Sequence, residues 1–231
     1  MPIVESGGVR LHYELSGNER GPVLVFSNSL GSTLHMWDKV LPALESMYRV
    51  LRYDTRGHGK SSVAPEPFSI EALGGDVLRL LDEVEAKRAS VCGLSLGGLV
   101  ALWLGVPAPG RVDRLILANT AARIGSREMW EQRIATARTA GLSPLIEMMP
   151  ERWFTREYRE RHPEEMEWMR KMMAKTNPAG YTACCEVLRD SDLRAETAEV
   201  KAPTLVITGT HDPATPPADG QALHAGIRNS R

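Results

Sequence analysis

The sequence predicts an α/β fold, a mostly parallel sheet flanked by helices, with an all-helical segment inserted before the sheet is complete. Three observations predict it. Short apolar, β-prone runs alternate with helix-patterned stretches through residues 1–120, the signature of βαβ units. From about Ala121 to Val200 the pattern turns helical, charged and Met-rich, without a convincing strand. Strand character then returns at Pro203-Thr204-Leu205-Val206-Ile207-Thr208-Gly209. We therefore assign residues 1–120 and 201–231 to the sheet-bearing core and 121–200 to a helical lid.

The strand candidates, in order, are Val9 to Glu14, Val23 to Ser27, Tyr48 to Asp54, Arg88 to Cys92 and Arg114 to Ala118. The later ones are nearly continuous apolar runs, as expected of parallel strands covered on both faces. Leu73, Val77, Leu80, Leu81 and Val84 fall on one face of a helix between two of them. In the insertion, Met129 to Ala140 reads as a helix closed by Gly141. Thr155 to Lys175 reads as another, with Met166, Met169, Met172 and Met173 at helical spacing. Unbranched, polarizable methionines suit the irregular core of such a lid. Pro217 to Ile227 is expected to be a last helix covering the sheet.

A 42% hydrophobic content over 231 residues suffices to bury a substantial core. With 28 basic and 29 acidic residues, the charge balance points to neither nucleic acid nor an anionic membrane as partner. No apolar run approaches the ~20 residues needed to span a bilayer. The start, Met1-Pro2-Ile3-Val4-Glu5-Ser6, lacks the basic and apolar regions of a secretory signal. Three cysteines, of which Cys184 and Cys185 are neighbours, fit a reducing compartment better than a disulfide framework. A cytoplasmic protein is the expectation.

Chemistry is concentrated in Gly93-Leu94-Ser95-Leu96-Gly97, which a strand feeds and a helix follows. In such a strand–turn–helix elbow the serine is held in a strained conformation that lifts its hydroxyl above the sheet edge. Ser95 is the candidate nucleophile. A serine nucleophile needs a base and an orienting acid, and Asp212 lies in a Pro-rich turn just after the returning strand. An oxyanion hole needs two donors. Leu96, directly after the nucleophile, supplies one backbone N–H, and Leu30, in the small polar loop Ser27 to Thr33, is the choice for the other.

Several segments together resemble the 3-oxoadipate enol-lactonases of the α/β-hydrolase superfamily. They are Phe26-Ser27-Asn28-Ser29-Leu30-Gly31, Met36-Trp37-Asp38, Tyr53-Asp54-Thr55-Arg56-Gly57-His58-Gly59-Lys60-Ser61, the elbow, and Gly209-Thr210-His211-Asp212-Pro213. Met129-Trp130-Glu131-Gln132-Arg133, Glu151-Arg152-Trp153-Phe154 and Gly180-Tyr181-Thr182-Ala183-Cys184-Cys185 in the lid are also similar to that family. The resemblance implies opening of a small enol-lactone that carries a carboxylate, late in bacterial breakdown of aromatic acids, without metal or organic cofactor. A carboxylate-bearing substrate calls for a cation that stays charged when partly desolvated, a role that suits guanidinium. Trp130 and Arg133 share a helix face, so Trp130 is expected to pack the lactone ring while Arg133 takes the carboxylate.

One feature of the family is missing. It places a triad histidine after a further strand beyond the acid, and this sequence reaches Arg231 where that strand is expected to begin. His12 and His162 are expected in structural or solvated roles, and His35 and His58 lie in loops near the presumed site at positions that match other features of the family. His211 adjoins Asp212 too closely for its ring to be oriented by it, and His224 falls on the predicted helix Pro217 to Ile227. None of the six is expected to be the base.

Overall fold

The computed structural model describes residues 2–65 and 67–231. Its sheet begins with a hairpin, β1 (Ile3–Ser6) and β2 (Val9–Gly17), turned by Gly7 and Gly8 at φ of 52° and 76°. Two consecutive positive φ values match the twist of a two-residue hairpin and favour glycine at both places. β3 (Val23–Ser27), β4 (Arg49–Tyr53), β5 (Ala89–Leu94), β6 (Val112–Ala118) and β7 (Thr204–Ile207) follow, in the spatial order β1-β2-β4-β3-β5-β6-β7. β2 runs antiparallel to β4, and every pairing from β4 to β7 is parallel.

Side chains alternate between the faces of this sheet as the period of two demands. Val25, Leu51 and Val91 enter the main core, whereas Leu24, Phe26, Val50 and Cys92 pack with Trp37 and Leu41 on the other side. The crossovers are α1 (Ile70–Glu83), between β4 and β5, and α2 (Leu96–Leu104), between β5 and β6. Gly74 on α1 lets Trp103 of α2 approach, since a Cβ there would lie 2.1 Å from its ring.

Five helices separate β6 from β7: α3 (Arg127–Ala140), α4 (Ser143–Trp153), α5 (Arg156–Arg161), α6 (Pro163–Ala174) and α7 (Pro178–Asp190). The expected single helix from Thr155 to Lys175 is two, broken at His162-Pro163, where His162 adopts φ −130° and ψ 56°. Proline disfavours helical backbone in the residue before it and opens a new helix at its own first turn. Met166, Met169, Met172 and Met173 are all buried on α6, the core role expected of them. β1 was not among the expected strands. α8 (Pro217–Gly226) packs beside β7. β7 also receives the last residues: Thr204 and Val206 donate to the carbonyls of Asn229 and Arg231, and Arg231 donates back to Thr204. Among the described residues no helix is long and apolar enough to cross a membrane, and the three cysteines are free and buried.

Candidate active site

The carboxyl ends of the parallel strands gather the site. Ser27 pairs with Gly93, Leu94 with Ala118, and Ala118 with Ile207, so the segments after β3, β5, β6 and β7 emerge side by side. Ligand sites in open parallel sheets form at this edge.

Ser95 is the turn between β5 and α2, at φ 55° and ψ −115°. A positive φ in a residue with a Cβ is strained and must be held by its surroundings. Here Ser95 N–H donates to the Ala118 carbonyl at 3.0 Å, and Thr120 Oγ1 donates to the Ser95 carbonyl at 2.8 Å. The flanking glycines have no room for a side chain. A Cβ on Gly93 would lie 2.0 Å from the Gly97 oxygen, and one on Gly97 would lie 2.1 Å from the Ser27 oxygen. Ser95 is half-buried, and its hydroxyl makes no hydrogen bond within the protein among the described residues.

The contact of Gly97 with Ser27 lays the start of α2 against the Ser27–Thr33 loop. This loop is pinned at nearly every residue. Asn28 donates to the Tyr53 carbonyl at 2.7 Å and accepts from the Trp37 indole at 2.8 Å. Gly31 N–H donates to His58 Nε2 at 3.0 Å, and Leu34 N–H to Asp54 Oδ1 at 2.9 Å. The amides of Leu30 and Leu96 are different. Both residues are buried, and neither N–H donates to any group among the described residues.

Asp212 is half-buried in the turn after β7. Its Oδ2 accepts from Asn119 Nδ2 at 2.6 Å and from Thr215 Oγ1 at 2.8 Å. Its Oδ1 accepts from the amides of Ala214 and Thr215 at 2.8 and 3.1 Å. Desolvation alone would raise this carboxyl, but the four donors outweigh it and hold the group below the usual carboxylate range. Asn119 escaped the sequence reading. It follows β6 at φ 43°, and its amide donates to the Ile207 carbonyl, so β6 ties the serine's turn to the acid's turn. Asparagine tolerates this left-handed backbone better than most residues, and that is the one signal the sequence offered.

None of the six histidines hydrogen-bonds Ser95 or Asp212 among the described residues. His12 pairs with Asp54 at 2.9 Å, His35 with Asp38, His211 with Thr210, and His224 with Ser230. His162 lies against Glu164 and Glu165, and His58 is taken by Gly31 and the Arg56 carbonyl.

The inserted helices close over this edge through Tyr181. A Cβ on Gly31 would lie 3.3 Å from its ring, and its hydroxyl accepts from Arg133 Nε at 2.6 Å. The Arg133 guanidinium sits 5.6 Å from the ring centroids of both Trp130 and Tyr181 and touches Met149 Sδ at 3.3 Å. It makes no ion pair among the described residues. Trp130 is only 5% exposed and donates its indole N–H to the Ile124 carbonyl, so it anchors α3 and floors Arg133. Arg152, one turn beyond Met149 on α4, was not among the expected binding residues. Desolvation, then the like charge of Arg133, lowers its pKa, while Asp212 acts in the opposite sense. Among the described residues, two guanidiniums without a carboxylate partner thus border the site.

A serine elbow at the carboxyl edge of a parallel sheet, with an acid on a later strand, defines a class of hydrolase fold. Residues 22–231 match the alpha/beta hydrolase fold family. The chain is 42% identical to 3-oxoadipate enol-lactonase 2 of Acinetobacter baylyi, over 96% of this chain and 83% of the relative. It is 37% identical to 3-oxoadipate enol-lactonase 1 of the same organism, over 98% and 85%. The crystal structure of the enol-lactonase from Burkholderia xenovorans superposes with a TM-score of 0.97 at 44% identity, covering 100% of this chain and 89% of that one. The chain belongs to the 3-oxoadipate enol-lactonase family of α/β hydrolases.

Proposed function

We propose that the protein hydrolyses a small carboxylate-bearing enol-lactone, 3-oxoadipate enol-lactone, to the linear keto-diacid. The observation that carries this reading is the strained Ser95, set between the two undonated amides and the Asn119–Asp212 pair. In this reading the Ser95 oxygen attacks the lactone carbonyl, its hydroxyl proton passing to the ring oxygen as the ring C–O bond breaks. The N–H groups of Leu30 and Leu96 receive the developing oxyanion. The ring oxygen leaves as an enol that becomes a ketone, and water then cleaves the acyl-enzyme. Asp212 is the acid of the triad, held ionised by its four donors. Arg133 takes the substrate carboxylate, with Trp130 beneath it. The partner is a small lactone, not nucleic acid or membrane. The setting is the cytoplasm, where three unbridged cysteines stay reduced, and the step belongs to breakdown of aromatic acids.

Ser95→Ala tests the reading. Lactone opening should fall by several powers of ten while the circular dichroism spectrum and Tm hold. Unchanged turnover would sink the mechanism. Faster turnover of simple aryl esters than of the lactone would mark a general ester hydrolase of the same fold. A rival reading, a pocket that binds the lactone without opening it, draws on the histidines, none of which reaches Ser95 or Asp212. Lactone binding by the unaltered protein with no product formed would favour that rival.

A further inference from the structure

His58 does not belong to the nucleophile's machinery, yet it is buried at 1% exposure directly beneath the loop that carries Leu30. Its two ring nitrogens have different partners. Nε2 faces the Gly31 N–H, which can only donate, and Nδ1 faces the Arg56 carbonyl at 3.2 Å, which can only accept. One form of the ring satisfies both, the neutral imidazole protonated on Nδ1. We propose that His58 is a positioning residue for the oxyanion hole: its bare Nε2 holds the Gly31 amide and so fixes the peptide beside the Leu30 donor. This rests on the oxyanion role given to Leu30 above, and not on which lactone or ester is turned over.

The geometry explains why the anchor is needed. Gly31 adopts φ 79°, and apart from His58 its peptide is held by Thr176 Oγ1, which donates to the Gly31 carbonyl at 3.3 Å. The histidine's own loop is rigid. A Cβ on Gly57 would lie 2.4 Å from the Gly180 Cα, and Gly57 N–H donates to the Ser62 carbonyl. A second proton on His58 would set Nε2–H against Gly31 N–H, donor against donor, and release the loop.

The ring's surroundings favour the neutral form. Burial lowers its pKa from the ordinary 6.5, against smaller upward pulls from the Arg56 carbonyl and the charge of Asp54. Asp54 is itself occupied by His12 Nδ1 and by the amides of Leu34 and Lys60. The Arg56 guanidinium turns away to Asp76. From the inserted segment the groups that meet Gly31 and Gly57 are Met173, Thr176, Gly180 and Tyr181, and the phenol, raised to about 12 chiefly by desolvation, stays neutral. Because the folded pKa is lowered, the anchor is intact above the ordinary value and is lost only as pH falls through the lower, folded value.

The test uses a neutral aryl ester, p-nitrophenyl acetate, so that it does not depend on lactone specificity. His58→Phe removes the acceptor, and kcat should fall by about tenfold or more with KM little changed, short of the ~10²–10³ lost with a whole oxyanion donor. His58→Gln keeps a neutral acceptor and should restore most of kcat. It should also abolish the part of the acid-side fall in kcat that His58 causes below its ordinary value of 6.5. Nitrogen-15 spectra of the unaltered protein should show a protonated Nδ1 and a bare Nε2 on His58 at neutral pH, a readout independent of turnover and of how the variants fold. A ring protonated on Nε2 would overturn the proposal, as would equal kcat in all three proteins or equal loss in both variants with the acid limb unmoved. Failure on the lactone alone, with these ester and spectral results intact, would count against the proposed substrate and leave His58 in place.

Discussion

The elbow and the helices above it are built by opposite rules. Around Ser95 the tightest contacts are backbone on backbone, Gly93 on Gly97 and Gly97 on Ser27, while a Cβ on Gly98 would lie 2.6 Å from the Thr120 side chain. Above it, α3 to α7 meet through Met149, Met169, Met172 and Met173, all buried, and through a guanidinium between two rings. Backbone contacts hold the turn of Ser95 closely and leave no room for an added atom at Gly93 or Gly97. Methionine contacts fill space adaptably and leave room for side chains to be exchanged. In the proposed reading, chemistry is placed by the first kind of packing, and substrate recognition by the second.

The largest effect is expected of Gly97→Ala. A Cβ there meets the Ser27 oxygen at 2.1 Å and the Ser27 carbonyl carbon at 2.3 Å, and neither is the end of a flexible side chain. The cost should exceed the ~1–3 kcal/mol of ordinary overpacking, since β3 and α2 would have to separate. Urea unfolding reads it. A loss below ~1 kcal/mol with turnover kept would mean that the elbow is as forgiving as the helices.

The same contrast decides what the sequence disclosed. Backbone-on-backbone packing demands glycine at fixed spacing, so Gly-x-Ser-x-Gly was legible, as were the apolar strands on either side. Asp212 was legible because it follows a returning strand. The helical segment was legible in kind but not in detail. The Met stripe continued across His162-Pro163, and periodicity masked a break that proline chemistry imposes. β1 was hidden because Ile3 to Ser6 is short and only every second residue is buried. Tyr181 and Asn119 act through partners far along the chain, Tyr181 on Arg133 and Asn119 on Asp212, and Arg152 feels the charges of Arg133 and Asp212 only once the chain is folded. No local pattern records such pairings.

Arg133→Ala sharpens the comparison from the side of the helices. With its Nε on Tyr181 and no ion pair to a carboxylate among the described residues, the guanidinium is free to meet a substrate anion. Losing a charged hydrogen-bond partner in a buried site costs on the order of 2–5 kcal/mol. We expect kcat/KM for the carboxylate-bearing lactone to fall by that amount and for a neutral aryl ester to stay nearly level. Equal losses on both substrates would make Arg133 a brace for the helices, and the division between placing chemistry and recognising substrate would fail.

The smallest effect expected is that of Met149→Leu. Met149 is 1% exposed, so its side chain fills core volume, and leucine nearly conserves that volume. The exchange removes one contact of Arg133, the 3.3 Å approach of Nη2 to sulfur, in which the thioether is a weak acceptor. The stronger holds on the guanidinium remain: the Tyr181 hydroxyl at 2.6 Å and the two flanking rings. Stability should therefore drop by less than ~1.5 kcal/mol, and lactone kcat/KM should change far less than in Arg133→Ala. Urea unfolding and steady-state kinetics on the same preparation give both numbers. A loss of lactone kcat/KM as large as that of Arg133→Ala, with stability intact, would show that sulfur aims the guanidinium. The methionines would then be as exacting as the glycines beneath them.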